Sequence, residues 1–306
     1  MSRRMRQLFR GRALAASFAL FACSLVVLPA RAQQQTTSQP PANESSEQPQ
    51  GKAFASPEAA AAALYAAASR NDENELLVIL GPNAKDIVLW NSDPAVRQAR
   101  RQEFVQKYDQ MHRLVKEPDD TVALYVGAEN WPMPIPLVEY KGAWYFDSEL
   151  GKQEILYRRI GANEVEALEV CRALVDAEKD YFAGAHQYTA KFVSANGTHD
   201  GLYWSTTDSS KKSPIGPYLA HAGVSGSGNA EPFHGYYYRI LPLQNGKIAS
   251  GFAVLAFPAV YRSSGVMTLL MDQNGDAYEK DLGPKTNELA RQISVFSPDN
   301  TWKKVE

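Results

Sequence analysis

The order of the periodic patterns along the chain constrains its fold most, because helical spacing gives way to strand alternation twice. Residues 56–69 open with Ser-Pro-Glu, a helix-start signal, and continue with an alanine-rich run. Residues 121–149 then show the alternation of strands that are joined by short turns. A second apolar stripe at helical spacing covers about residues 157–183, and strand patterns follow over residues 235–283. Helices that precede antiparallel strands in this way indicate the α+β class.

The size of the chain fits two such units. Its 306 residues are 44% hydrophobic and 22% charged, which is normal for globular domains with their own cores. We predict a first domain at residues 53–159 and a second domain at residues 160–306. The net charge is −2, so the sequence shows no basic surplus and predicts no nucleic-acid partner.

The first 32 residues are typical of a secretory signal peptide. An arginine-rich start precedes an apolar stretch from residue 13 to about residue 28, and residues 30–32 read Ala-Arg-Ala, a small-residue cleavage pattern. The apolar stretch is shorter than the roughly 20 residues that a spanning helix needs. We therefore expect cleavage after Ala32, no transmembrane segment afterwards, and export to the periplasm or the extracellular space. A lipid anchor on Cys23 is the alternative.

Residues 33–52 are predicted to be a disordered linker, because they are rich in Gln, Ser, Pro, Thr and Glu and contain no large apolar side chain. Cleavage after residue 32 would remove one of the two cysteines and leave Cys171. A single cysteine cannot form an internal disulfide, so the exported protein is expected to depend on its core alone.

Pro132, Pro134 and Pro136 alternate with apolar residues directly after Trp131. Proline has no N–H to donate, so this alternation places every missing donor on one side of a strand. The pattern predicts a strand at a sheet edge, where that side faces solvent. The alternative is a polyproline II ligand for a partner's groove. The strand is favoured because the run leads directly into a hairpin pattern at residues 136–149.

Two parts of the chain resemble known folds. The segments FASPEAAAAAL, LLVILGP and KGAWYFD resemble common segments of NTF2-like domains, and this resemblance covers residues 53–150. It implies helices packed on a curved sheet. The second part, one long helix followed by an antiparallel meander, is similar to the globular part of type IV pilins and pseudopilins. It lacks the long apolar N-terminal helix of pilins, so pilus assembly is not implied.

The whole chain after the linker resembles the DUF2950 family of exported bacterial proteins. The segments WPMPIPLV, GKQEILYRRIGANE, DGLYW, HGYYYRIL and YEKDLGP carry this resemblance, which extends over nearly all of residues 53–306. The family has no assigned function. The resemblance therefore implies the two-part organisation and no activity.

Four of the five histidines fall in residues 186–234, the least regular part of the chain. Loops on a scaffold often carry sites. A metal site there would need neutral imidazoles that converge with a carboxylate such as Asp200. The histidine spacings match no known ligand pattern, so the sequence predicts neither a metal nor another cofactor. A scattered set of surface histidines is the competing interpretation.

Aromatic residues suggest a second type of site, because their rings can stack on a ligand. Alternation along a strand predicts that Tyr237 faces opposite to Tyr236 and Tyr238, so at least one face of this strand is expected in the core. The candidate ligand or pocket residues from both arguments are His199, Asp200, Trp204, His221, His234 and Tyr236.

Two further motifs have structural explanations. Cys171 could act as a nucleophile with His199 or His234 as its base, but it lies on the apolar stripe of a predicted helix, where cysteine packs as a small hydrophobic residue. Residues 272–276 read Asp-Gln-Asn-Gly-Asp. The Asn-Gly pair predicts a hairpin turn here in preference to a calcium loop.

The leading functional hypothesis is an exported, non-enzymatic binding module of the cell envelope. Its partner would be another envelope protein or a small ligand. The alternative is a hydrolase-like envelope enzyme, with a pocket in the NTF2-like cone or a histidine-lined site in the loops of residues 186–234. An enzyme needs polar side chains that converge in a pocket, whereas a binding module needs an exposed apolar or aromatic surface.

Overall fold

The computed structural model describes residues 50–205, 212–223, 230–243, 247–248 and 251–305. The predicted signal peptide, the alternative lipid anchor on Cys23 and residues 33–49 of the predicted linker lie outside the described residues. The last residues of that linker are described. Lys52 donates its N–H to the carbonyl oxygen of Val78 at 3.1 Å, which attaches this part of the chain to a helix.

Seven α-helices occur in the described residues, and one of them is 38 residues long. They are α1 (Pro57–Ser69), α2 (Glu73–Leu80), α3 (Lys85–Val88), α4 (Pro94–Gln110), α5 (Ser148–Ala185), α6 (Pro217–His221) and α7 (Thr286–Gln292). Within the part of the chain that the structure describes, no helix combines the length and the apolar character that crossing a bilayer requires.

The strands form two separate antiparallel sheets. The first contains β1 (His112–Lys116), β2 (Val122–Val126), β3 (Trp131–Pro132), β4 (Leu137–Tyr140) and β5 (Ala143–Phe146). The second contains β6 (Tyr236–Pro242), β7 (Phe252–Pro258), β8 (Met267–Asp272), β9 (Ala277–Asp281) and β10 (Lys303–Lys304). The order in the first is β1-β2-β4-β5, with β3 also on β2, and in the second β10-β9-β8-β7-β6. The predicted α+β class is confirmed.

Helix α1 begins as predicted, because the Ser56 hydroxyl accepts the N–H of Ala59 and Pro57 occupies the first turn. Helix α4 ends at Gln110, and Leu114 pairs with Leu124 of β2. Side chains that fit a helix also fit a half-buried strand, and here the neighbouring strand decides between the two.

The first core lies between the first sheet and the helices before it. Alternate residues of β2 are buried, and α1, α2 and α4 supply the facing side chains. Fully covered residues at this contact include Leu64, Ile79, Leu124, Leu137 and Phe146.

Only Pro132 of the proline run lies in a strand, so the predicted strand is much shorter than expected. Strands β3 and β4 both pair with β2, on the side opposite to β1, and β5 extends the sheet beyond β4. Among the described residues β3 has β2 as its one strand partner, as a strand at a sheet edge does, and the ladder is interrupted between β3 and β4, where Pro134 and Pro136 lie. Met133 maintains one link across the interruption, since its N–H donates to the carbonyl of Leu124 at 2.8 Å.

Helix α5 covers this interruption. Arg158 Nη1 donates to the carbonyl oxygen of Pro132 at 2.7 Å, which satisfies an acceptor in the broken ladder. Gly151 lies against Ile135, and a Cβ on that glycine would come within 2.7 Å of the Ile135 Cγ1. Ile135 is only 2% exposed. Contacts with a later helix thus cover the proline run beside β2.

Helix α5 is continuous across residues 159 and 160, between which we predicted the domain boundary. Asp147 caps it by accepting the N–H groups of Glu149 and Leu150. Asn163 lies in mid-helix, and its side-chain amide donates to the carbonyl of Ser264 at 2.8 Å. The division into two domains stays a prediction, and its predicted boundary falls inside a helix that contributes to both parts.

The second sheet is covered by helices on both faces. Every residue of β7 is buried. Phe252, Val254 and Ala256 belong to the core that contains α5, whereas Leu255 and Phe257 pack in the cluster that contains α7. Alternation along one strand therefore supplies two cores.

Candidate functional site

The six predicted site residues lie in three different parts of the second half of the chain. His199, Asp200 and Trp204 belong to one loop, His221 ends α6, and His234 and Tyr236 lie at the start of β6. His199, His221 and His234 are exposed, whereas Tyr236 is buried. Among the described residues, no group of three or more His, Cys, Asp or Glu side chains is arranged to hold a metal ion.

The loop that contains three of the candidates, residues 187–204, crosses the C-terminal part of α5, and we call it the strap. Its two arms pair with each other: Tyr203 donates its N–H to the carbonyl of Phe192 at 2.8 Å, and Leu202 donates to that of Lys191 at 3.0 Å. Phe192 and Leu202 insert into the core. The strap is therefore a packed structural element.

Asp200 organises the outer end of the strap. Its carboxylate accepts the N–H of Ala195 at 2.9 Å and the hydroxyl of Thr198 at 2.8 Å, and it forms an ion pair with Lys191. The Lys191 ammonium and these donors hold the pKa of Asp200 well below its usual range. The oxygens that the sequence suggested as a metal ligand are thus engaged within the strap. The ring of His199 stacks on that of Trp204, with 4.4 Å between the ring centroids.

Tyr236 is a core residue. Its side chain is fully buried, and its hydroxyl donates to the carbonyl of Met267 at 2.9 Å. Burial raises the pKa of this hydroxyl. Tyr237 faces the opposite side of the sheet, as the alternation predicted, and packs in the cluster of α7. Nδ1 of His234 contacts the carboxylate of Glu166 on α5 at a partly exposed position.

The structural explanations of the remaining two motifs are confirmed. Cys171 is fully buried, and burial raises the pKa of its thiol to about 12, so it packs as a core residue. At residues 272–276, Gly275 donates its N–H to the carbonyl of Asp272 at 3.0 Å, and Gly275 has φ 93°. This geometry closes the predicted turn between β8 and β9.

Sequence reasoning missed a buried carboxyl group on α5. Glu178 is fully buried, its Oε2 accepts the N–H of Thr189 at 3.1 Å, and its Oε1 is without a hydrogen-bond partner among the described residues. Burial raises the pKa of Glu178 to about 8. The available signal was spacing, because Glu178 lies four residues after Leu174 and three before Tyr181 on the apolar stripe.

Sequence reasoning also missed a surface on the first sheet where two arginines lie against two aromatic rings. Arg113 lies over the ring of Tyr125 at 4.6 Å, and Arg158 over that of Trp131 at 5.4 Å. We call these four residues the arginine–aromatic surface. Trp131 is 42% exposed. The signal for this surface was the strand alternation that places Tyr125 on the face opposite to the buried Leu124.

Three of the four residues, Arg113, Tyr125 and Arg158, interact electrostatically. The Tyr125 hydroxyl donates to Glu117 at 3.0 Å; this hydrogen bond raises the pKa of Tyr125, and the charges of Arg113 and Arg158 oppose the rise. Arg158 also forms an ion pair with Glu154 at 2.7 Å. The rings are therefore held in place by charged groups while a large part of Trp131 stays open to solvent.

Comparison with known proteins identifies the family of the chain. A search of curated proteins and a search of solved structures found no match. The NTF2-like and pilin-like resemblances of the two parts stay predictions. The family model described as "Protein of unknown function (DUF2950)" matches residues 51–305. Because that match covers most of the chain, the protein is a member of the DUF2950 family.

Proposed function

We propose that the protein is exported and acts in the cell envelope as a non-enzymatic binding module, with another envelope protein or a small ligand as its partner. The arginine–aromatic surface is the observation that supports the binding role. The pattern of the first 32 residues supports export.

Binding surfaces derive most of their affinity from a few large aromatic and arginine side chains. Arg113, Tyr125, Trp131 and Arg158 are of these types, and their mutual contacts fix the side chains before a partner arrives. Side chains that are already ordered lose less conformational entropy on binding. By contrast, the six candidate residues of the second half are distributed over three places, and Tyr236 is buried. Their placement gives no support to the enzyme alternative.

The binding role is tested by replacing Trp131 with a photo-crosslinking amino acid in the full-length chain in growing cells. We expect one discrete crosslinked species, since Trp131 is at the centre of the proposed contact. Tyr218 on α6 is the matched control, because it is an aromatic residue that is 80% exposed and lies in the second half of the chain. Crosslinker at residue 218 is expected to give no such species.

The variant Arg113→Ser adds a quantitative check, because Arg113 is exposed and contacts the side chains of Tyr125 and Asn130. Loss of an arginine at the centre of an interface costs about 2 kcal/mol, so the crosslinked species should decrease by more than tenfold. The same yield at residues 131 and 218, or a yield that Arg113→Ser leaves unchanged, would contradict the binding role of this surface.

Export is tested separately by fractionating the producing cells and measuring the mass of the protein. We expect a mature chain that begins at Gln33 in the periplasm or the medium. A protein that keeps residues 1–32 in the cytosol would refute export. A mature chain that begins with a lipidated Cys23 would establish the anchored alternative.

A further inference from the structure

The strap is attached to α5 at a carboxyl group that is shielded from water. Glu178 has no solvent exposure, and Thr189, whose N–H it accepts, is also buried. The Thr189 hydroxyl donates to the carbonyl of Asp200 at 2.8 Å and accepts the N–H of Lys191 at 3.1 Å. Thr189 thus joins the two arms of the strap at the point where Glu178 holds it.

A second hydrogen bond joins α5 and the strap. The Tyr181 hydroxyl donates to the carbonyl of His199 at 3.1 Å. Tyr181 is one helical turn after Glu178, so both attachments lie on the same face of α5. The two bonds differ in one respect, because only the Glu178 attachment depends on a proton that is gained or lost near neutral pH.

The surroundings of Glu178 favour its neutral form. From the described residues the carboxyl group receives a single hydrogen bond, and the neighbouring strand β7 is entirely apolar in this core. Lys191 is paired with Asp200 at the exposed rim of the strap and does not neutralise Glu178. Other titratable groups on the elements packed here are Cys171 and Tyr181 on α5, Tyr188 and His199 on the strap, and Tyr236 and Tyr238 on β6.

We propose that a proton on Glu178 fastens the strap to α5 and that losing this proton weakens the attachment, so that the strap opens more readily as the pH rises. Opening would admit water to the carboxyl group, where the charged form is stable. In the closed state that charge would be held in an apolar core with one donor, which is costly.

The pH window follows from the two states of Glu178. In the closed state its pKa is raised to about 8, compared with the ordinary value of 4.5 that a hydrated carboxyl group has. At a pH between these two pKa values, Glu178 takes up a proton when the strap closes. The closed state of the strap therefore becomes less favoured as the pH rises through that window. The opening equilibrium should increase about tenfold per pH unit there and level off on both sides.

Hydrogen exchange of the full chain, followed by mass spectrometry between pH 5 and pH 9, tests the proposal. Protection factors corrected for intrinsic exchange should fall about tenfold per pH unit for the strap up to about pH 8. Global unfolding also hydrates Glu178, so the slowest amides of β7 should show the same dependence on pH, but strap protection should stay below theirs throughout because the strap opens without unfolding of the core. Strap amides as strongly protected as those of β7 would overturn the proposal, because they would then exchange only through unfolding of the whole core.

Two variants distinguish the effect of ionising Glu178 from the effect of losing a hydrogen bond between α5 and the strap. Glu178→Gln keeps an oxygen acceptor for Thr189 and cannot ionise, so its strap protection should not depend on pH. Tyr181→Phe removes the other attachment, so its strap protection should be lower by one constant factor at every pH. A pH profile of Glu178→Gln that matches the unmodified protein overturns the proposal. If Glu178→Gln does not fold, the unmodified protein still decides, since pH-independent strap protection refutes it.

Discussion

Replacing Arg239 with methionine should release helix α7 from the second sheet and lower the free energy of unfolding by about 3 kcal/mol. Arg239 extends from β6, and its Nη1 donates to the carbonyl oxygens of Ala290 at 3.0 Å, Arg291 at 3.0 Å and Ile293 at 2.9 Å. The last carbonyls of a helix have no partners within the helix, and they lie at its negative end. One charged group therefore donates to three acceptors at this helix end, of which the Ala290 carbonyl also accepts the N–H of Ile293 at 3.3 Å.

The short length of α7 makes this contact decisive. The helix spans seven residues, too few to persist without packing. Burial lowers the pKa of Arg239, but a guanidinium stays charged in proteins. Methionine would keep the apolar stem of the side chain and remove only the donors and the charge.

Urea denaturation measures the loss of stability, and hydrogen exchange of residues 286–293 shows whether α7 has separated. Arg262→Met is the matched control, because Arg262 is exposed on the loop between β7 and β8 and rests on the ring of Tyr261. That variant should change the unfolding free energy by less than about 0.5 kcal/mol. Similar losses for the two variants would show that α7 does not depend on Arg239.

Adding one methyl group at Gly223 should lower the free energy of unfolding by about 3 kcal/mol or more. A Cβ at this position would lie 2.0 Å from Cγ and 2.4 Å from Cδ2 of Phe192. Phe192 is 1% exposed and belongs to the strap that covers α5. Gly223 pairs with Tyr238 of β6 on its other side, so both neighbours are fixed and the overlap cannot be relieved without moving the strap.

Thermal and urea denaturation of Gly223→Ala measure this effect. Gly161→Ala is the control, because Gly161 lies within α5 and no atom comes within 4 Å of an added Cβ. There the same change should increase the unfolding free energy by about 0.5–1 kcal/mol, since alanine is the better helix former. If Gly223→Ala were as stable as the unmodified protein, the close contact between Gly223 and Phe192 would be refuted.

Local patterns predicted those elements whose signals are confined to neighbouring residues. The Ser56 cap, strand β2 and the turn at Gly275 depend on a few adjacent side chains, and the structure contains all three. The opposite orientation of Tyr236 and Tyr237 also follows from strand geometry alone. The α+β class could be predicted because the order of such local elements determines it.

Features set by distant contacts could not be predicted in this way. No local pattern shows that Gly151 lets α5 approach Ile135. The proline alternation predicted a longer strand, and the hydrogen bond from Arg158 of a later helix to the carbonyl of Pro132 could not be predicted from neighbouring residues. Trp131 depends on the same arginine for its place at the surface. Tyr236 was predicted as a site residue because aromatic rings can stack on a ligand, although the alternation along β6 also allowed a core position.

The unbroken course of α5 has a consequence for how genes of this family can be rearranged. At about 1.5 Å per residue, its 38 residues extend over roughly 57 Å. A crossover near codon 160 would build this helix from two parents, so that its first part and its second part would no longer come from the same sequence. Crossovers near codons 147 or 186 would pass the helix on intact, so natural hybrids within the family should exchange sequence at those two places.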